Sequence, residues 1–437
     1  MRVGIVGAGI TGLALTHHLA ERGVDSVTVE ASDRAGGVIR SVERQGTVLE
    51  YGPQRTRLTD DVAQLVDSVG LRGEVVFGDD DLPLSVYADG ALRRAPLSIP
   101  AFLRTDLLSA RGKLRLLAEP LSDPISPDET AAEAFVRKFG REAYDNLIGP
   151  LYGGTYGSDP AAMPAEHALD GVMRIEKKYG TLLWPALKRL TPGGDPTPPP
   201  VSFEDGMESL PAALAEAHAD RVHLETPAET VRQVDDGYRI ETAAGTERVD
   251  EVVVTAPAAA ASELLADVAP DLAEGLGELT YNSLAYAFLQ ADDDREGLGY
   301  QVRRDEALRT LGVTWNASAF DRDGLYTCFM GGMHDPEILA LSEAEIGEIA
   351  AREFETVMGT PAEPIGVNVV RDAIPAYDRS WDAIADHEPP EGITLATNYT
   401  ARLGVPARIR EGKRLAKRFA AADAGGDERQ RAAPTPS

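Results

Sequence analysis

The chain has 437 residues, 43% of them hydrophobic, which is enough for two or three domains with separate cores. Its 71 acidic residues outnumber 43 basic ones, only 7 of them lysine, for a net charge of −28. Acid spread this densely and evenly disfavours nucleic acid as a partner and reads as adaptation to a salt-loaded, halophile-like solvent.

The strongest local pattern comes first. Arg2–Val6 is a short apolar strand that breaks into Gly7-Ala8-Gly9-Ile10-Thr11-Gly12. Helical periodicity then predicts a helix over 13–22, closed by Gly23, and a second strand over 26–29 that ends at Glu30. Gly7 permits the tight turn, Gly9 lets the backbone approach a pyrophosphate, and Gly12 lets helix and strand pack closely. The helix N-terminus offers free N–H groups to phosphate, and Glu30, 18 residues after Gly12, can accept a ribose hydroxyl. Strand, glycine turn, helix and acid together specify dinucleotide binding.

The next segment lengthens that site. In Ala31-Ser32-Asp33-Arg34-Ala35-Gly36-Gly37-Val38, Arg34 can carry charge to the pyrophosphate, and the paired glycines leave room for a flat ring. Gly52-Pro53 follows shortly after.

Beyond residue 85 the pattern is interrupted. We expect α/β architecture with a cofactor-binding domain in three pieces, 1–85, 201–262 and 365–420. The insertions are a helical subdomain at 86–200 and a substrate-binding sheet domain at 263–364, with a disordered tail at 421–437. Helices are predicted over 129–139, 142–148, 210–218 and 343–357, and a weakly amphipathic one over 107–117. Strands are predicted over 222–225, 230–234, 238–242, 252–255, 284–290 and 311–315. Residues 191–200, rich in proline and glycine, have no helical option.

Cys328 is the single cysteine, which excludes an internal disulfide or a CxxC site and fits a reducing compartment. The 7 histidines form no metal motif; His17 and His18 are adjacent and are not expected to share a helix face, so no metal is expected. The first strand begins at Arg2, and no apolar run approaches the roughly 20 residues of a membrane span. A cytoplasmic protein is expected, peripheral to a membrane at most, as a monomer or homodimer.

These motifs together resemble the FAD-binding amine oxidase and protoporphyrinogen oxidase superfamily, in which an ERxGG-like segment and a later GP lie along the flavin. Further segments, in order along most of the chain, are similar to the porphyrinogen oxidase branch. They include Glu133-Ala134-Phe135-Val136-Arg137-Lys138-Phe139-Gly140-Arg141-Glu142, Leu147-Ile148-Gly149-Pro150-Leu151-Tyr152, Gly297-Leu298-Gly299-Tyr300, Ala373-Ile374-Pro375-Ala376-Tyr377 and Leu403-Gly404-Val405-Pro406.

The resemblance implies a Rossmann-type, glutathione-reductase-like FAD domain. In it FAD is held by Gly7, Ala8, Gly9, Ile10, Thr11, Gly12, Glu30, Ala31, Arg34, Gly36, Gly37, Val38, Gly52 and Pro53. From later in the chain come Ala228, Trp381, Asn398, Leu403, Gly404 and Val405. It implies stepwise oxidation of protoporphyrinogen or coproporphyrinogen in heme biosynthesis, with dioxygen as electron acceptor and no catalytic side chain of certain role. Arg57, four residues after Pro53, stands where the branch has its propionate-binding arginine, with Arg55 and Arg303 as further candidates. Gly299, Gln301 and Phe329 are implied as substrate contacts, although the branch has leucine at Gln301 and glycine at Thr397.

The alternatives are a flavin amine oxidase, a carotenoid desaturase-like enzyme and a non-catalytic flavin-binding protein. Amine oxidases of this superfamily use a sheet lysine at the flavin, and here no lysine occurs between Lys188 and Lys413.

Overall fold

The computed structural model describes residues 1–79, 81–190, 197–400 and 403–432. Two sheets organise it. The first is parallel, with strands in the order Val222–His223, Asp25–Val29, Arg2–Val6, Glu251–Val254 and Ile393–Leu395. Its strands come from distant parts of the chain, which is why the cofactor domain is discontinuous in sequence.

The first helix, Ile10–Glu21, is buried along nearly its whole length, from Ile10 through Leu19. It lies between this sheet and the last helix, Val405–Ala432, with Leu15 and Leu19 packing on Leu415, Ala416 and Phe419. A helix covered on both sides shows little contrast between its faces. Gly12 makes the close approach possible: a Cβ there would stand 2.1 Å from the Gly7 carbonyl oxygen.

The second sheet has seven strands, in the order Glu363–Pro375, Tyr281–Gln290, Leu325–Gly331, Thr310–Trp315, Gly299–Val302, Leu84–Ala88 and Ala91–Arg94. Period-two alternation divides its faces. Ala285, Ala287, Tyr326, Cys328 and Met330 face the helix Glu343–Met358 and meet Ile346, Ala350 and Phe354. Leu284, Tyr286, Phe288 and Phe329 face the other way, onto Leu49 and Tyr51 beside the cofactor domain. The covering helix starts at a Ser342/Glu345 capping box and stops at Gly359, whose φ of 70° is left-handed.

Several expectations are corrected here. The sheet takes strands from 84–94 and 363–375, so the expected boundaries at 85 and 364 cut through it. Edge strands are recruited by hydrogen-bonding register across space, which local pattern does not reveal. The last helix continues through 421–432, where a disordered tail was expected; its anchoring begins upstream at Ile409 and Phe419 in two cores. Residues 433–437 and most of the proline-rich stretch, 191–196, lie outside the described residues, and Pro200 opens the strand Pro200–Phe203.

In the helical layer, Ala131–Phe139 begins at a Thr130/Glu133 capping box. The segment expected as one helix over 142–148 is Arg141–Ala143 followed by a π turn, Tyr144–Ile148. The helix expected over 107–117 starts only at Ala110, because Ser109 caps it and Leu107 and Leu108 are buried in the layer below.

Candidate active site

Three glycine loops converge at the carboxyl end of the parallel sheet. Gly36 N–H donates to the Ala8 carbonyl at 2.9 Å, and Gly9 and Gly36 form a parallel bridge. Gly52 lies against Val38, where a Cβ would fall 1.9 Å from the Val38 carbonyl oxygen. The first, second and third loops are therefore stacked on one another by backbone contact that only glycine allows.

Between them is a cradle. A Cβ at Gly9 would meet nothing within 4 Å, nor would one at Gly404, and one at Gly37 would meet only the Gly9 Cα, at 3.4 Å. Val405 and Ile409 pack with Ala8, Ile10 and Leu13, which brings the start of the last helix beside the start of the first. Thr11 is buried on that first turn, while Val38, 60% exposed, stands bare at the rim. Open space lined by backbone at a helix N-terminus suits a pyrophosphate, so the residues present fit the dinucleotide.

The Glu30 carboxylate is organised by its surroundings. It accepts from Ala8 N–H at 2.7 Å and from Ser32 N–H and hydroxyl at 2.9 and 2.6 Å. Thr226 N–H donates to the Glu30 carbonyl and Glu225 N–H to that of Ser32, which carries the following Ala228 to this end of the sheet; Ala31 is exposed beside it.

Arg34 is tied into its own loop. Its guanidinium donates to the carbonyls of Gly37, Ile39 and Ala35 at 2.6, 3.0 and 3.2 Å, and it stands 3.4 Å from Glu208. It clamps its own loop to the Glu208 turn.

Beneath lies a buried acid that local pattern did not single out. Glu50 accepts from Met207 N–H at 3.0 Å and Ser41 hydroxyl at 2.6 Å, with Arg322 at 3.3 Å. Burial pushes its carboxyl up, and the Ser41 and Arg322 contacts pull it back. Thr255 was also missed: its hydroxyl donates to the carbonyls of Val6 and Gly7, holding the first turn. Its place at the end of an apolar strand was the available signal.

The second sheet meets this site through Tyr51, which precedes Gly52-Pro53. Tyr51 stacks on Phe288 with ring centroids 5.6 Å apart, and its carbonyl accepts from Asn368 at 3.2 Å. Phe329 lies on the same face, edge-on to Tyr286 at 5.2 Å. Gln301, between the inward-facing Tyr300 and Val302, also points to this side, against Gly154 and Gly312; its Oε1 is buried without a hydrogen bond.

Gly299 is different. It is buried in the sheet at φ 137°, and a Cβ would fall 2.0 Å from the Val313 carbonyl oxygen, so it serves strand packing and is closed to a ligand.

Arg57 ends a short strand paired with Pro200, and its guanidinium donates to the Pro198 carbonyl at 3.0 Å. Arg303 is committed elsewhere, to Asp89, Asp305 and Glu306. Trp381 donates to the Ala376 carbonyl and stacks on Tyr377 at 4.8 Å. Tyr377 meets Tyr156 edge-on, and Leu403 packs on the same cluster. Asn398 sits half-buried in the turn that Arg408 secures by donating to the Thr397 carbonyl at 2.6 Å.

Comparison with known proteins places this geometry. Residues 10–419 match the family described as flavin containing amine oxidoreductase. The chain is 28% identical to protoporphyrinogen oxidase 2 of Arabidopsis thaliana, covering 95% of this chain and 93% of that one. It is 25% identical to coproporphyrinogen III oxidase of Bacillus subtilis, covering 94% and 96%. The fold is similar to that of an Exiguobacterium protein described as a protoporphyrinogen oxidase candidate, with TM-score 0.77 and 24% identity over 96% of this chain and 99% of that one. FAD is accordingly the cofactor, and the cradle among the glycine loops suits it. The chain belongs to the flavin-containing amine oxidoreductase family, and its sequence relatives there include protoporphyrinogen and coproporphyrinogen oxidases.

Proposed function

We propose that this protein oxidises a porphyrinogen to the porphyrin, with dioxygen as the final acceptor. The observation that carries the reading is the apolar sheet face that meets the cofactor domain at Leu49 and Tyr51. It presents Tyr286, Leu311 and Phe329, and no lysine falls between Lys188 and Lys413. Bound FAD supplies the acceptor for hydrogen, so the chain's work is to hold a flat substrate and exclude water. Burial pushes the Tyr286 hydroxyl up to about 12, which keeps it protonated and uncharged beside an apolar ring. Similarity over most of the chain to oxidases of both porphyrinogen classes supports the same reading.

The experiment is direct. The yellow holoprotein should bleach under anaerobic porphyrinogen, regain colour in air and release fluorescent porphyrin. Running protoporphyrinogen and coproporphyrinogen side by side assigns the substrate. Bleaching by amines with no porphyrin from either substrate would reject the proposal.

Within this reading Arg57 anchors a substrate carboxylate near Gly52-Pro53. Charge-assisted pairing of a guanidinium contributes about 1.5–3 kcal/mol, so Arg57→Ala should raise KM roughly 10- to 100-fold with flavin retained. An unchanged KM removes Arg57 from the substrate site.

The helical layer supplies a membrane-facing surface in the same proposal. Leu103, Leu114, Leu121 and Trp184 are 66, 70, 89 and 63% exposed. Lys113 ties two of these helices together by donating to the Leu103 and Thr105 carbonyls, and Glu119 holds the Leu183 N–H. Arg104, Arg111 and Lys178 are exposed on helices of the same layer in an otherwise acidic protein. No helix among the described residues is long and apolar enough to cross a membrane. Sedimentation with anionic vesicles should capture the protein, and Leu114→Glu with Leu121→Glu should release it. Equal recovery of both forms in the supernatant would dismiss this surface.

A further inference from the structure

We propose that His17, His18 and Glu21, on the last turns of the first helix, bind a divalent transition-metal ion of the zinc class, with His218 orienting the site. One donor atom from each of the three lies within 4.8 Å of the others. Adjacency in sequence was expected to separate the two rings. They instead sit edge to face, centroids 5.3 Å apart, and both turn toward the same carboxylate. His18 Nδ1 shares a hydrogen bond with Glu21 at 2.7 Å, which an ion would replace, and His17 Nε2 stands 3.7 Å from the same carboxylate.

The independent observation is the state of His17. It is 7% exposed, and its Nε2 is buried with no hydrogen-bond partner. Its Nδ1 is 3.0 Å from His218 Nε2, a distance at which one of the two nitrogens must carry the proton. With the proton on Nδ1, Nε2 presents a bare lone pair toward a carboxylate. A buried lone pair facing a carboxylate at the solvent edge leaves a place for a cation between them. The second imidazole then plays the part that outer hydrogen-bond acceptors play for metal-bound histidine, fixing tautomer and ring direction.

The His17–Glu21 spacing is near that required by such an ion. Donors across a tetrahedral zinc stand roughly 3.4 Å apart, given bonds of about 2.0–2.1 Å. The His17 pair is slightly wider and the His18 pair narrower, and rotation of Glu21, whose side chain is 50% exposed, can even them. Two nitrogen donors favour zinc over magnesium or calcium. The exposed side of Glu21 leaves a fourth position for water. One cation opposes the ion: Arg22 stands 3.5 Å from Glu21.

The test uses the FAD-loaded protein and zinc chloride in high potassium chloride, which screens weak binding by surface acids. Equilibrium dialysis should find a saturable site, one zinc per chain, whose X-ray absorption edge reports nitrogen ligands. His17→Gln and Glu21→Gln should each weaken binding at least tenfold, while His387→Gln, an exposed histidine elsewhere, should not. Should His17→Gln fail to fold, Glu21→Gln decides alone, since its carboxylate is half in solvent. No saturable zinc in the native protein, or equal binding in the Glu21→Gln variant, overturns the proposal.

Discussion

Replacing Gly9 with valine should yield protein that folds but purifies without yellow colour. Gly9 has φ −68° and ψ 172°, extended backbone that valine adopts readily, and a Cβ there meets nothing within 4 Å. The substitution therefore costs the apoprotein little. Its side chain would project into the cradle between Gly9, Gly37 and Gly404, where the cofactor's backbone contacts have to be made. The flavin-to-protein ratio should fall to near zero while the thermal midpoint of the flavin-free form stays within a few degrees.

Gly12→Ala makes the contrast. Its Cβ would lie 2.1 Å from the Gly7 carbonyl, an overpacked contact that costs about 1–3 kcal/mol or more. That variant should lose stability and flavin together. Normal flavin content in Gly9→Val would show that the cradle is not where the cofactor binds.

The second large effect concerns the helical layer. Lys138 is 1% exposed and forms ion pairs with Glu119 and Glu176, themselves 0 and 5% exposed. Glu119 also accepts from the Leu182 and Leu183 N–H groups, at 3.2 Å each, and Glu176 from Ile125 N–H at 2.8 Å. Three segments of the layer thus converge on one ammonium. Lys138→Met leaves two buried carboxylates without their cation, and removing one partner of a buried pair costs about 3–5 kcal/mol. Denaturant unfolding should show that loss, and limited proteolysis should cut first within 100–190. Adding Glu119→Gln and Glu176→Gln should restore part of the stability, because the amides keep hydrogen-bonding capacity without the charge. A Lys138→Met midpoint equal to the native one would mean the layer is held by its apolar contacts alone.

The same residues show how far local pattern carries. Thr130 and Glu133 form a capping box that is visible in the sequence and starts a helix where it should. Lys138, eight residues after Thr130, is a charged residue on the same helix, yet it is buried. Its spacing puts it on the buried face with Ala131, Ala134 and Phe135, but the partners that neutralise it stand at positions 119 and 176. His17 and His18 were misjudged for a related reason. Helix geometry separates their Cβ atoms, but packing against His218 and Glu21 sets the ring directions. The commitment of Arg34 to three nearby carbonyls and Glu208 depends on how its loop closes.

What the amino-acid order determined by itself was the cofactor end: strand, glycine turn, helix and acid within the first 30 residues, then the paired glycines. Those features are legible because the turn requires left-handed φ at Gly7 and Gly36 and close backbone approach at Gly12 and Gly52, demands that few other residues meet. Tertiary structure alone decided which strands complete the second sheet and which charges are buried. It also decided that Gly299 packs the sheet, and that the last helix runs past residue 420. Edge pairing, burial and side-chain direction arise from segments far apart in the chain, and no local period encodes the partner they find.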